Sequence, residues 1–164
     1  MKTIEDIHLE LALSSWKTMI ERADKVFLGL TPEEATGEIA PGRNRLIYIL
    51  GHLTAVHDRM VDILGLGERL HPQFDALFLS NPDKTFELPP FEVVRAAWVD
   101  VNRKVSEGIA SFSSSDWLRK HAAVSDEDFA RDRLRNRLAI LLSRTNHVAY
   151  HLGQVALARR PPAA

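Results

Sequence analysis

The sequence predicts an all-α protein, a four-helix bundle with a long connection between the second and third helices. Four segments carry apolar residues at the spacing of an amphipathic helix, and no segment shows the alternation of a half-buried strand. The region from Leu66 to Pro90 is irregular and punctuated by proline. Because 164 residues are typical of one domain, we expect a single domain spanning residues 1–164.

The first helix is predicted from about Thr3 to Leu28, where Gly29 follows as a stop signal. The segment Thr31-Pro32-Glu33-Glu34 has a Thr cap, a Pro in the first turn and a Glu at the third position, which is typical of a helix start. Since residues 37–42 contain glycine at both ends, we expect only a short helical turn there.

The second helix is predicted from about Arg43 to Leu64, and it ends at the glycines of Gly65-Leu66-Gly67. His52 lies in the middle of its apolar face. His57 follows five residues later, about 140° further around the helix axis. The two side chains therefore point in different directions, and we expect His57 on the solvated side.

In the connection that follows, the segment from Gln73 to Leu79 is predicted to form a helical turn. His71 stands next to a proline, and we expect it at the surface. The third helix is predicted from Phe91 to about Phe112, where apolar residues recur every three or four positions. The polar run from Ser113 to Asp116 interrupts it.

The fourth helix is predicted from the capping sequence Ser125-Asp126-Glu127-Asp128 to about Arg160, where Pro161-Pro162 ends it. His121 precedes it in a connector without an apolar pattern and is expected off the inward faces. Four arginines lie near its start, and nearby aspartates favour a solvated face over an anion site. These arginines are Arg131, Arg133, Arg135 and Arg137.

Composition excludes several classes of function. The chain has no cysteine, which excludes disulfides, thiolate ligands and a cysteine nucleophile. The formal net charge of -1 provides no basic field for nucleic acid or an anionic membrane. No segment approaches about 18 consecutive apolar residues, and acidic residues stand near the N-terminus. We therefore expect a soluble, cytoplasmic protein.

Two histidines of the fourth helix have the spacing of metal ligands. His147 and His151 are four residues apart, so they project from one face, as the two histidines of the zinc motif H-E-x-x-H do. Position 148 is Val, so the general-base Glu of that motif is absent. In a bundle, His52 is the natural third ligand, with His8 as the next candidate. Zinc, nickel and iron(II) all accept imidazole, and three core histidines without a metal remain the alternative.

The segments Asn44 to Leu53 and His147-x3-His151-x-Gly153-Gln154 resemble the DinB/YfiT-like four-helix bundles. The resemblance implies that His52, His147 and His151 bind a divalent metal ion, commonly zinc or nickel. Members of that family include transferases and isomerases that use low-molecular-weight thiols, and they often form homodimers. The resemblance therefore implies a small-molecule substrate, a possible thiol co-substrate and a homodimer.

On this basis the sequence predicts a metal-dependent transferase in which metal-bound thiolate or water is the nucleophile. The alternatives are a metal-dependent hydrolase and a non-catalytic metal-binding or stress-related protein. Tyr48 and Arg59 are the candidate catalytic residues, because they lie one turn before and two turns after His52 on the same face. The competing interpretation is that both only line the end of the bundle.

Overall fold

The computed structural model describes residues 2–158, and their fold is all-α, as predicted. There are four long helices and four short ones, and only two isolated β-bridges accompany them in this part of the chain. In chain order the helices are α1 (Ile4–Phe27), α2 (Pro32–Ala35), α3 (Leu46–Ile63), α4 (Phe74–Phe78), α5 (Phe91–Ala110), α6 (Ser114–Trp117), α7 (Asp126–Arg131) and α8 (Arg137–Ala158). The helix end predicted at Arg160 to Pro162 lies outside the described residues.

The predicted cap at Thr31 is confirmed, and Thr3 caps the first helix in the same way. The Thr3 hydroxyl accepts a hydrogen bond from the Asp6 amide, and the Asp6 carboxylate accepts one from the Thr3 amide. Thr31 and Glu34 form the same reciprocal pair at the start of α2. Each pair satisfies two backbone donors that a helix leaves without an intrahelical partner.

Helix α3 begins at Leu46, three residues later than predicted, because a distant carboxylate determines where it starts. Arg45 is the cap residue, and its amide donates to Asp83 at 2.7 Å. The Arg45 guanidinium also donates to the same carboxylate, at 2.6 Å. Asp83 belongs to the long connection, so the connection and the start of α3 are held together by one ion pair with a buried carboxylate.

The predicted fourth helix is wrong as a single element, since it is divided into α7 and α8. Asp132 adopts an extended conformation, and its carboxylate accepts a hydrogen bond from the Leu134 amide. Asn136 accepts one from the Ala139 amide at 3.0 Å and so caps α8. Asp and Asn side chains compete with the helical hydrogen bonds of the backbone, and here that competition ends one helix and begins another.

Helix α3 lies at the centre of the fold, and 13 of its 18 residues are buried. It packs mainly against α5, whereas α8 packs mainly against α1. The expectation that His57 is solvated is therefore wrong. Its ring is fully buried between Trp16 and Trp98, with ring centroids 5.0 and 5.1 Å away. Two opposite faces of α3 are covered, so a residue about 140° from His52 still faces the core.

The connection between α3 and α5 packs closely over α3. Phe78 of α4 lies so near Gly51 that a Cβ atom on Gly51 would be 2.2 Å from its ring. The Asp58 carboxylate accepts hydrogen bonds from the amides of Leu70 and His71. His71 is consequently half-buried and stacks on Phe74, rather than lying freely at the surface. His121 is likewise half-buried.

Candidate metal centre

Three histidines from two helices converge on one point. His52 projects from α3, and His147 and His151 project from successive turns of α8. The Nε2 atom of His147 lies 3.1 Å from Nε2 of His52 and 3.0 Å from Nε2 of His151. The three ligand atoms all lie within 4.8 Å of one another. His52 thus joins the α8 pair, while His8 is exposed on α1 and contributes to a separate cavity beside Trp117.

Hydrogen bonds at the far side of two rings determine which nitrogen faces the centre with a lone pair. His52 Nδ1 lies 3.0 Å from the Phe78 carbonyl, and His151 Nδ1 lies 2.8 Å from the Gln154 side-chain oxygen. Because both oxygens only accept, each Nδ1 must carry the proton. The Nε2 atoms of His52 and His151 therefore carry lone pairs that point towards the common centre, as those of metal-binding histidines do.

The donor set fits a divalent ion of the zinc type. Nitrogen ligands about 2.0–2.1 Å from a tetrahedral zinc ion are separated by roughly 3.3–3.4 Å. The observed Nε2 separations of 3.0 and 3.1 Å reach those values with a small outward shift of the rings. A proton on His147 Nε2 or a bound cation relieves the repulsion between the converging lone pairs, so the three rings can hold a cation. All three ligands are imidazoles, which fit several transition metals and do not select one.

The electrostatics of the site favour neutral imidazoles. Burial, together with the charges of His151 and His52, lowers the pKa of His147 to about 4. Burial likewise lowers the pKa values of His52 and His151. A ligating histidine must be unprotonated, so all three rings are in the metal-binding form at neutral pH.

Tyr48 and Arg59, the candidate catalytic residues, flank the histidines and have partners within the protein. The Tyr48 hydroxyl donates to the Asn81 carbonyl at 2.6 Å. The Arg59 guanidinium pairs with Asp75 at 2.9 Å, and Asp75 also accepts from Arg69. These contacts hold both side chains in place, and neither side chain donates to the three histidines.

A polar cavity adjoins the three histidines at the start of α3. Its volume is about 520 Å³, and His151 is part of its wall. Arg43 and Asn44 line it from the loop before α3, and Tyr150 and Gln154 line it from α8. A small polar molecule can thus approach the three-histidine centre from this side.

Arg144 is a residue near the site that the sequence reasoning missed. It is half-buried on α8, one turn before His147, and its Nε atom is buried without a hydrogen-bond partner in the described structure. Its positive charge contributes to the lowered pKa values of His52 and His147. Arg144, His147 and His151 stand at positions i, i+3 and i+7. This spacing alone predicts that Arg144 lies on the same helix face as the two histidines.

Comparison with known proteins identifies the family. The sequence model of the DinB superfamily matches residues 15–155, a range that contains all three converging histidines. No curated protein matches the chain. None of the helices between Lys2 and Ala158 has both the length and the apolar character needed to cross a bilayer.

Proposed function

The chain belongs to the DinB superfamily, and from this premise we propose that it is a metal-dependent transferase that acts with a low-molecular-weight thiol. The observation that carries the proposal is the convergence of three Nε2 atoms beside a polar cavity. A divalent ion held by three neutral imidazoles lowers the pKa of a thiol or water that reaches it, which supplies a nucleophile at neutral pH. Zinc and nickel are the metals that we propose.

The chain's own residues hold this centre in a defined orientation. The Phe78 carbonyl and the Gln154 side chain fix the rings of His52 and His151, so little reorganisation is needed when a metal binds. None of the three converging ligands is a carboxylate, so their neutral rings leave the double positive charge of a bound metal uncompensated. Such a charge favours an anionic thiolate as the incoming ligand.

We also propose roles for Tyr48 and Arg59 in the reaction. Tyr48 lies one turn before His52 and is held by the Asn81 carbonyl, so it can shape the entrance from the connection side. Arg59 lies two turns after His52, and its pairing with Asp75 keeps its guanidinium near α4. A substrate that contacts either residue must share or displace its present partner.

Metal analysis of single alanine variants tests the centre. His52→Ala, His147→Ala and His151→Ala should each lose most of the bound metal together with the rise in Tm that metal provides, because bound metal stabilises only the folded state. His8→Ala, which removes an exposed histidine of α1, is the matched control and should keep both. Full metal occupancy in all three variants would show that these are ordinary core histidines.

A screen of the metal-loaded protein tests the reaction. Several small thiols are supplied with electrophilic acceptors, and esters are tested in parallel. Thiol consumption that requires metal supports the transferase. Metal-dependent ester cleavage without thiol would favour the hydrolase, and an inert metal-loaded protein would favour a non-catalytic metal-binding role.

We further propose that the protein forms a homodimer through its long helices. Large apolar side chains are exposed on one face of α1, and others are exposed on α8. They are Ile4, Ile7 and Leu11 on α1, and Leu142, Tyr150 and Leu157 on α8. Exposed apolar faces on adjacent helices suit a partner helix pair. A monomeric mass by light scattering at micromolar concentration would contradict the dimer.

A further inference from the structure

Arg144 is the starting point because its charge is not neutralised within the described structure. No carboxylate of residues 2–158 forms an ion pair with it, and its buried Nε atom lacks a hydrogen-bond partner there. Two neighbouring arginines are paired, Arg59 with Asp75 and Arg69 with both Asp58 and Asp75. Arg43 at the polar cavity is exposed to solvent, unlike Arg144. Burying a charge without a partner is unfavourable, so an anion that binds beside the half-buried Arg144 guanidinium stabilises it.

The arrangement of α3 and α8 places Arg144 beside the histidines and next to Arg59. The start of α3 meets the end of α8 at the polar cavity, so the two helices run in opposite directions past the metal centre. Arg59 follows His52 along α3, and Arg144 precedes His147 along α8. Because the helices are antiparallel, the two arginines lie on the same side of the histidines. Burial lowers the pKa of Arg144, and the positive charge of Arg59 lowers it further, in agreement with this proximity.

We propose that Arg144 binds an anionic group, a carboxylate, of the small molecule that coordinates the metal. This inference rests on the proposed function, since it assigns the class of ligand for the same site. Arg59 already carries a carboxylate partner, so the free guanidinium of Arg144 is the better anion-binding group. A guanidinium offers two parallel donors that match a carboxylate, which gives both affinity and orientation.

Arg144 and His147 lie close together along α8, which favours a short ligand. Arg144 precedes His147 by three positions, which corresponds to a rise of about 4.5 Å along the helix. The ligands to compare are short mercapto-carboxylates, in which one or two carbons lie between the sulfur and the carboxylate. We therefore expect short mercapto-carboxylates to bind better than neutral thiols of the same length.

Ligand binding to the cobalt(II)-substituted protein tests the inference without an activity assay. The visible spectrum reports a ligand entering the metal's coordination sphere, and titration gives a Kd for each probe. The probes are 3-mercaptopropionate and its neutral amide, with succinate monohydroxamate and butyrohydroxamate as a second pair. The preference for the carboxylate is the ratio of the two Kd values within a pair.

The wild-type protein should prefer the carboxylate member of each pair. Arg144→Gln should reduce that preference roughly ten-fold or more, as expected when a charge-assisted hydrogen bond is lost. Arg144→Lys should retain part of it. Arg137→Gln is the matched control, because Arg137 is a half-buried arginine of α8 whose Nε is also without a partner, but its guanidinium lies 4.7 Å over the Phe112 ring. That variant should keep the full preference.

The outcomes separate this inference from the proposed function. If thiols and hydroxamates bind without any carboxylate preference, or if the preference survives in Arg144→Gln, the assignment of Arg144 is wrong while the metal centre stands. If hydroxamates show the Arg144-dependent preference and thiols do not bind, the anion site stands and the thiol chemistry fails. If no cobalt spectrum develops, the metal centre fails and the assignment of Arg144 falls with it.

Discussion

Replacing the buried His57 by Gln should change how the stability of the protein depends on pH. His57 is fully buried, and its Nδ1 lies 2.8 Å from the Asn102 side-chain oxygen. The Asn102 amide group donates to the Trp98 carbonyl, so its oxygen accepts and His57 Nδ1 carries the proton. Burial is the main reason that the pKa of His57 is lowered to about 3. Gln can keep a hydrogen bond to Asn102 but cannot titrate.

The magnitude follows from the difference between the folded and unfolded states. In the unfolded chain a histidine has a pKa of about 6.5. Between about pH 6.5 and 3 the unfolded chain therefore binds a proton at this position and the folded protein does not. Stability that is present above pH 6.5 is lost as the pH falls through this window, by about 1.4 kcal/mol per pH unit. From pH 6.5, where the unfolded histidine is half protonated, to pH 4.5 the loss from this residue alone is about 2.3 kcal/mol.

Urea unfolding at several pH values, with a chelator present, measures the effect. Gln at position 57 is expected to lower the free energy of unfolding at pH 7, because the fit between Trp16 and Trp98 is disturbed. The deficit relative to the wild-type protein should then shrink as the pH falls, at about 1.4 kcal/mol per pH unit. His8→Gln removes an exposed histidine and should leave the slope unchanged. Parallel curves for the wild-type protein and His57→Gln would refute the argument.

Three further changes test particular contacts. Gln154→Leu removes the acceptor that orients His151 and should weaken metal binding about ten-fold or more, measured by chelator competition, with little change in the Tm of the metal-free protein. Gly51→Ala places a methyl group against the fully buried Phe78 ring and should lower the free energy of unfolding by about 1–3 kcal/mol in a urea titration. Asn136→Ala removes the cap of α8 and should cost about 1 kcal/mol, with Ser143→Ala on the exposed face of α8 as the control.

The features that local geometry controls were predictable from the sequence. The cap at Thr31 depends on a side chain three residues away, and it formed as predicted. The pairing of His147 with His151 depends only on the helical repeat, which sets residues four apart on one face. The assignment of His52 as their partner required the assumption of a bundle, and the structure brings its Nε2 within 3.1 Å of His147.

Other features were not predictable, because they depend on partners that are distant in sequence. Asp83 determines where α3 begins, although it follows Arg45 by 38 residues. Asp132 and Asn136 lie within the single fourth helix that the sequence predicted, yet their side-chain hydrogen bonds end one helix and start the next. Periodicity describes one helix at a time and contains no information about a side chain that arrives from another part of the chain.

The sequence by itself determined the helical class of this protein, the cap of α2 and the spacing of His147 and His151 on α8, since all three follow from contacts within one or two turns of helix. Only the tertiary structure decided that His57 is buried and that Arg144 lacks a counter-ion within the described residues. The helical repeat fixes the angle between His52 and His57, but how many sides of α3 are covered depends on α5 and α1. The charge balance around Arg144 likewise depends on which carboxylates the fold assigns to Arg59 and Arg69.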